Sequence, residues 1–382
     1  MTAANIKAPS TPDDDGINVV RAAVLDVPVD ADLRAYGPDH VSVVFVEMVD
    51  ADGRTGTGFT YTFGSGCTPV KSMVDDVIAP LVRGTRVSEW EQTYRQLQLA
   101  TRRIGRHVFV PAISAVDIAA WDLRGLRAGI PLYRLLGGVE REVAVYGSGR
   151  SANALSLPEL TAGAKSYVGD GYTAIKLRVG GRPPEEDVVR IAAIRNAVGD
   201  QVALMIDCNE RLDLATAMWL SDRAADFGVR WIEEPLPAEH VQAYATLARR
   251  SRTPVATGEH LASPEEFEQY ANANAAAIFQ PDAALAGGIT GCLQICRLAN
   301  AHGIPVSLHS LAELHIQVAT ADPNVCYVEH FPILNEIMAA SLAPREGRIT
   351  APARPGHGII WDRDAIAAHT VAGAFATSRG EG

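Results

Sequence analysis

Two rhythms divide the hydrophobic pattern of the chain. Over residues 17–62, β-branched residues crowd into strand-like runs such as Val41-Ser-Val-Val-Phe-Val-Glu-Met-Val, and Asp52-Gly53 supplies a turn before Thr55-Gly-Thr-Gly-Phe-Thr-Tyr. Over 70–128 the apolar spacing becomes helical, with Ile113, Val116 and Ala120 on one face ahead of Gly125 and the breaker Gly129-Ile-Pro131. Strands followed by helices predict an α+β domain over 17–140. From about residue 142 short strands alternate with amphipathic helices, the strands falling at 143–147, 173–179, 202–208, 229–233, 254–258, 276–280, 304–309 and 325–329. Val241, Tyr244, Ala245 and Ala248 form one apolar helical stripe, Gly228 stands where a C-terminal cap belongs, and Ser263-Pro264-Glu265-Glu266 reads as a capping box. Eight strands at this period predict a closed parallel α/β barrel over 141–330, with 331–370 returning to the first domain. An open doubly wound sheet would want a Gly-x-Gly-x-x-Gly turn, which the chain lacks. The ends, 1–16 and 371–382, read as flexible tails.

Composition narrows the work the protein can do. A chain of 382 residues, 47% hydrophobic, can bury large cores and is not disordered. Its 34 basic against 45 acidic residues give a net charge of −11, which repels phosphate backbones and anionic lipid and points to a small-molecule ligand with no nucleic acid and no membrane. No apolar run nears the roughly 20 residues that span a bilayer, and the N-terminus lacks an apolar signal core, so a soluble cytoplasmic protein is expected. The five cysteines make no Cys-x-x-Cys pair, which argues against disulfides and structural zinc.

In a parallel barrel, ligands gather at the C-terminal strand ends. There the sequence places Lys176 and Arg178, Asp207 and Asn209, Glu233, Glu259, Asp282, His309 and Glu329. Asp207 to Glu233 and Glu233 to Glu259 are both steps of 26 residues, one strand-helix unit, so three carboxylates converge from successive strands. Such crowding calls for a cation. An all-oxygen donor set selects a hard ion, Mg²⁺ first and Mn²⁺ second. Each acid taken alone could equally be a helix cap or an ion-pair partner. Asp282 and His309 end the next two strands, placed for the carboxylate to hold the imidazole as a base near neutral pH. His240, His260 and His315 read as incidental, although His260 follows a ligand position and can line the pocket. Cys208 points away from Asp207 and Asn209 into the packing layer.

The ordered set Ala174-Ile-Lys176-Leu-Arg178, Ile206-Asp207-Cys-Asn209, Trp231-Ile-Glu233-Glu-Pro, Thr257-Gly-Glu259, Pro281-Asp282 with Gly287-Gly-Ile-Thr-Gly, Ser307-Leu-His309 and Tyr327-Val-Glu329 resembles the mandelate racemase subgroup of the enolase superfamily. The resemblance runs over about 17–370. It implies a capping domain over a modified TIM barrel, (β/α)₇β, Mg²⁺ held by Asp207, Glu233 and Glu259, and removal of the proton α to a carboxylate through an enediolate. Lys176 would stabilise the enediolate, Asn209 would contact substrate or metal-bound oxygen, and Glu329, kept protonated, would donate a hydrogen bond. The resemblance also implies a homo-oligomer.

Arg178 departs from the family pattern. Racemases of this kind carry a second Lys there, and a guanidinium is a poor base. Dehydration of an acid sugar by the His309–Asp282 pair alone is therefore the expected reaction, with Arg178 orienting a substrate oxygen or pairing with a ligand carboxylate. A racemase, epimerase or cycloisomerase through the same intermediate is the alternative, and a silent carboxylate-binding scaffold a further one. Substrate choice is expected in the loops Val27–Asp39 and Phe59–Thr68, with Tyr36, Tyr61 and Arg106 as lining residues or ordinary surface positions.

Overall fold

The computed structural model describes residues 15–37, 39–101 and 104–373. Strands β1 (Ile17–Pro28), β2 (His40–Asp50) and β3 (Thr55–Phe63) form an antiparallel sheet, with Asp52-Gly53 in the β2–β3 turn. Nearly all of β2 is buried, because the sheet is covered on both faces, which explains its continuous apolar run. The helix Arg106–Ala128 covers one face. On the other, Phe45 and Phe59 meet Trp361 edge-on at 5.0 and 5.4 Å.

The Thr-Gly-Thr-Gly motif of β3 exists for that helix. A Cβ on Gly58 would lie 2.1 Å from the Ala115 carbonyl oxygen, and one on Gly56 2.3 Å from that of Ala119. Both obstacles are backbone and cannot swing aside. Gly58→Val is accordingly expected to destabilise the protein by at least about 2 kcal/mol, read as a fall in denaturation midpoint. An unchanged midpoint would mean that the helix does not rest on β3.

The second sheet is the barrel. Strands β4 (Glu142–Gly147), β5 (Ala174–Arg178), β6 (Ala203–Asp207), β7 (Val229–Glu233), β8 (Val255–Thr257), β9 (Ile278–Phe279), β10 (Val306–Leu308) and β11 (Val325–His330) run parallel in sequence order, and β11 closes on β4. Helices fill the connections on the outside. Tyr146, Ala174, Met205, Trp231, Ala256 and Ile278 pack as a cluster inside. Among the described residues no helix is long and apolar enough to cross a membrane.

Several details differ from the sequence reading. β11 pairs only with Val145–Gly147, so the first half of β4 would keep open backbone groups. Strand β12 (Arg348–Thr350) satisfies Glu142–Ala144 in antiparallel register, so part of the 331–370 segment belongs to the barrel edge. Strand β13 (Thr370–Ala372) pairs with β1, so chain order continues past the point where a tail was expected. Residues 1–14 and 374–382 of the expected tails lie outside the described residues. Glu266 accepts the Ala262 N–H at 2.7 Å, and a capping box also forms between Ser156 and Glu159.

Candidate active site

Side chains alternate along a strand, so a residue two positions beyond an inward-facing one also faces inward. That rule assembles most of the site. Ala174, Met205, Trp231 and Ile278 fill the barrel, and Lys176, Asp207, Glu233 and Gln280 stand two residues further on. Glu259 arrives by another route. Gly258 adopts φ +150° where a Cβ would lie 2.7 Å from the Gln280 nitrogen, and this glycine-only kink resets the phase after β8. The three acids Asp207, Glu233 and Glu259 each offer an oxygen within 4.8 Å of the others.

Lys176 sits at the centre, 3% exposed, with its Nζ 2.6 Å from Glu233 Oε1, 2.7 Å from Glu329 Oε1 and 3.2 Å from Asp207 Oδ2. Burial alone would lower its pKa, but these carboxylates drive it well above the ordinary value. Glu233 also accepts hydrogen bonds from Gln280 Nε2 at 2.7 Å and Trp231 Nε1 at 3.1 Å. Burial first, then the charges of Asp207, Glu329 and Glu259, push Glu233 up to about 7 against the pull of Lys176. Asp207, although buried, is held below the usual range by Arg178 and Lys176. Its Oδ2 has no hydrogen bond, whereas its Oδ1 accepts the Asn209 N–H at 2.8 Å. A buried carboxylate oxygen within a trio of acids, approached only by the Lys176 and Arg178 cations at 3.2 and 3.4 Å, fits a divalent ion.

His309 Nδ1 lies 3.0 Å from Asp282 Oδ2, and its Nε2 lies 3.1 Å from Glu259 Oε2 and 3.7 Å from Glu329 Oε2. Asp282 is anchored further by the Ala284 N–H at 2.8 Å and by the Tyr61 hydroxyl at 2.7 Å. Burial would lower the His309 pKa, but the charges of Glu259 above all, then Asp282 and Glu329, hold it up to about 10, a pull that a divalent ion on Glu259 would relieve. Burial favours the acid form of Glu329, while Lys176 and then His309 pull its pKa down, to about 2. Both follow from packing cations and anions together in a dry site.

Arg178 pairs with Asp207, Nη2 to Oδ2 at 3.4 Å, and its guanidinium lies 5.3 Å from the centre of the Tyr36 ring. Its buried Nε has no acceptor. Above the strand ends opens a cavity of about 580 Å³. Lys176, Arg178, Asn209, Glu259, His309 and Glu329 line its floor and walls, and Tyr36, Tyr61 and Phe63 reach it from the antiparallel domain. The side chain of Arg106 lies outside the described residues.

Some of the site escaped sequence analysis. His260 does line the cavity, and both carboxylate oxygens of buried Glu234 lie 2.9 Å from its Nδ1. This contact raises His260 to about 10 against its desolvation. Glu210, Glu234 and His260 form a second tight group beside the first. Asn153 and Arg211 also line the cavity. The only sequence hint for Glu234 was the second Glu of the Glu-Glu-Pro run, and for Arg211 its place four residues past Asp207.

Comparisons with known proteins agree with this geometry. Residues 19–137 match the mandelate racemase/muconate lactonizing enzyme N-terminal domain, and 159–365 match the enolase C-terminal domain-like family. The chain is 34% identical to a 3,6-anhydro-α-L-galactonate cycloisomerase of Streptomyces coelicolor, over 84% of this chain and 89% of that protein. It is also 34% identical to the L-talarate/galactarate dehydratase of Salmonella typhimurium, over 85% of this chain and 82% of that one. An L-talarate dehydratase of Polaromonas, solved with Mg and L-glucarate, superposes with a TM-score of 0.87 at 33% identity, covering 94% of this chain and 98% of the other. An eight-stranded parallel barrel capped by an antiparallel sheet domain, with three acids gathered at the strand ends and these matches across both domains, places the chain in the mandelate racemase/muconate lactonizing enzyme family of the enolase superfamily.

Proposed function

We propose that the protein is a Mg²⁺-dependent acid sugar dehydratase, with Asp207, Glu233 and Glu259 as metal ligands, His309 as the base, and the relatives' dehydratase and cycloisomerase activities in support. Residues 17–140 act as the cap, 141–330 as the catalytic barrel and the segment from 331 as the tie between them. The observation that carries the reading is the His309 ring: one nitrogen is fixed by Asp282, and the other is turned into the cavity beside Glu259 and Glu329.

A bound Mg²⁺, or Mn²⁺, supplies the positive charge that balances the three acids and the oxygens of a substrate carboxylate. Lys176, buried among Glu233, Glu329 and Asp207, is a preorganised cation for the charge that develops when the α-proton leaves. His309 Nε2 takes the C2 proton, and the electron pair of that C–H bond moves into the carboxylate to form the enediolate. The enediolate then expels the 3-hydroxyl, which receives the same proton from the imidazolium and leaves as water. The resulting enol tautomerises to a 2-keto-3-deoxy acid. Asn209, at the cavity wall, contacts substrate oxygen. Arg178, three strand positions round the barrel from His309, stays charged and cannot act as a second base. One-base elimination is the outcome, and Arg178 orients a substrate oxygen while it pairs with Asp207.

Incubation with a panel of acid sugars and Mg²⁺, followed by semicarbazide, should reveal a keto acid. A product that retains all its oxygens and forms no semicarbazone would move the reaction to isomerisation. Solvent exchange at the α-carbon absent for every sugar would overturn the enzyme reading altogether.

Tyr61 belongs to the antiparallel domain, yet its hydroxyl donates to Asp282. Tyr61→Phe removes one donor from a buried carboxylate that keeps the Ala284 N–H. The expected effect is a roughly tenfold fall in kcat. Unchanged kcat would show that the cap does not set the dyad.

A further inference from the structure

The cations along the cavity are matched to acids, with one exception. Lys176 is bound by Glu233 and Glu329, Arg178 by Asp207, His309 by Asp282 and Glu259, and His260 by Glu234. Arg211 also lines the cavity, but among the described residues no carboxylate pairs with it. Its guanidinium is held by a neutral group: with the Asn153 amide turned so that its oxygen faces Arg211, Arg211 Nη1 donates to it at 3.2 Å while the amide nitrogen donates to the Arg178 carbonyl at 2.9 Å.

The backbone puts Arg211 there deliberately. Asn209 and Glu210 both take left-handed conformations, φ 45° and 63°, and the strand β6 turns sharply after Asp207. The turn is pinned by the Glu210 N–H to the Glu234 carbonyl at 2.7 Å and the Arg211 N–H to the Cys208 carbonyl at 3.2 Å. Two consecutive non-glycine residues at positive φ cost free energy that such bonds must offset. Depth separates the cations: Lys176 lies buried at the floor, Arg178 is partly covered, and Arg211 is exposed at the rim. Arg211 therefore offers its charge at the exposed side of the cavity, while Lys176 is buried.

We propose that Arg211 reads a second carboxylate of the substrate, so that the acid sugar taken by this enzyme is a dicarboxylate, an inference that rests on the function proposed above. A planar guanidinium suits a terminal carboxylate through paired N–H donors, and Asn153 holds it in place from behind without neutralising it. The neutral hydroxymethyl end of a monocarboxylate sugar leaves that charge without a counter-ion.

Binding is measured by calorimetry on Mg²⁺-loaded His309→Asn protein, which retains the ligand without turning it over. The ligands are a six-carbon acid sugar pair of identical stereochemistry, one with C6 as carboxylate and one as hydroxymethyl. The dicarboxylate should bind about 10- to 100-fold more tightly, Arg211→Gln should bring the ratio to within about threefold, and Arg211→Lys should recover part of it. Equal affinities in the parent protein, or a ratio that Arg211→Gln leaves unchanged, would overturn the assignment. The wild-type enzyme is assayed for keto acid on the same pair. If neither sugar yields one while the affinity difference holds, the dehydration reading falls and the assignment of Arg211 stands.

Discussion

His309→Asn is expected to abolish solvent exchange at the α-carbon and to lower kcat by at least about 10³-fold, because it removes the ring nitrogen that the Asp282 pair holds turned into the cavity. Arg178 stays protonated, and Lys176 is tied to Glu233, Glu329 and Asp207 with its pKa driven upward. The fold should tolerate the change: Asp282 keeps its bonds from Ala284 and Tyr61, so no buried carboxylate is stranded. The substitution also removes the imidazole that lies 3.1 Å from Glu259. Mg²⁺ affinity should therefore stay the same or rise. Exchange retained at more than a per cent of the wild-type rate would take the base role from His309.

Glu233→Gln should lower Mg²⁺ affinity by at least about 100-fold and reduce kcat/KM by about 10³-fold or more. Among the three acids, Glu233 is the most enclosed by donors, receiving Lys176, Trp231 and Gln280. The amide keeps the volume but removes one negative charge from a trio that attracts a divalent ion chiefly by charge. It also turns an NH₂ group toward donors that now lack an acceptor, which disturbs Lys176 in particular. Calorimetric titration with Mg²⁺ reads the first effect, and the keto acid assay reads the second. Wild-type affinity in this variant would remove Glu233 from the metal site, and the mechanism built on it would need another centre.

These expectations trace back to features of different legibility. The repeat of 26 residues between Asp207, Glu233 and Glu259 marks one strand-helix unit each, and a barrel turns that regular interval into proximity. The same logic put Asp282 and His309 on neighbouring strands, where a 3.0 Å contact joins them. What an interval cannot convey is phase. Glu259 comes to the cluster through the φ +150° kink at Gly258, and Arg211 reaches the rim only because Asn209 and Glu210 reverse the chain. Such backbone states depend on neighbours far away in sequence, such as Glu234 for Glu210 and Gln280 for Gly258.

The protonation states are of the same kind. The acids and the histidine could be named from the chain, but their charges could not. Glu329 is drawn toward its carboxylate form by Lys176, which comes from a strand reached by passing β4 and lies 2.7 Å away, and the pull on the His309 proton comes from Glu259, two strands before it. The cap shows this even more plainly: Tyr61 donates to Asp282 across 221 residues.

By itself the sequence determined the kinds of element, the eightfold strand period and the chemical identity of the groups at the strand ends, since each is set by local patterning that any neighbour in the fold must respect. Only the tertiary structure decided which of those groups are paired, and that Arg211 alone among the described cavity cations has no acid partner. Electrostatic interaction depends on distance through space and on the exclusion of water, and neither quantity is written along a chain.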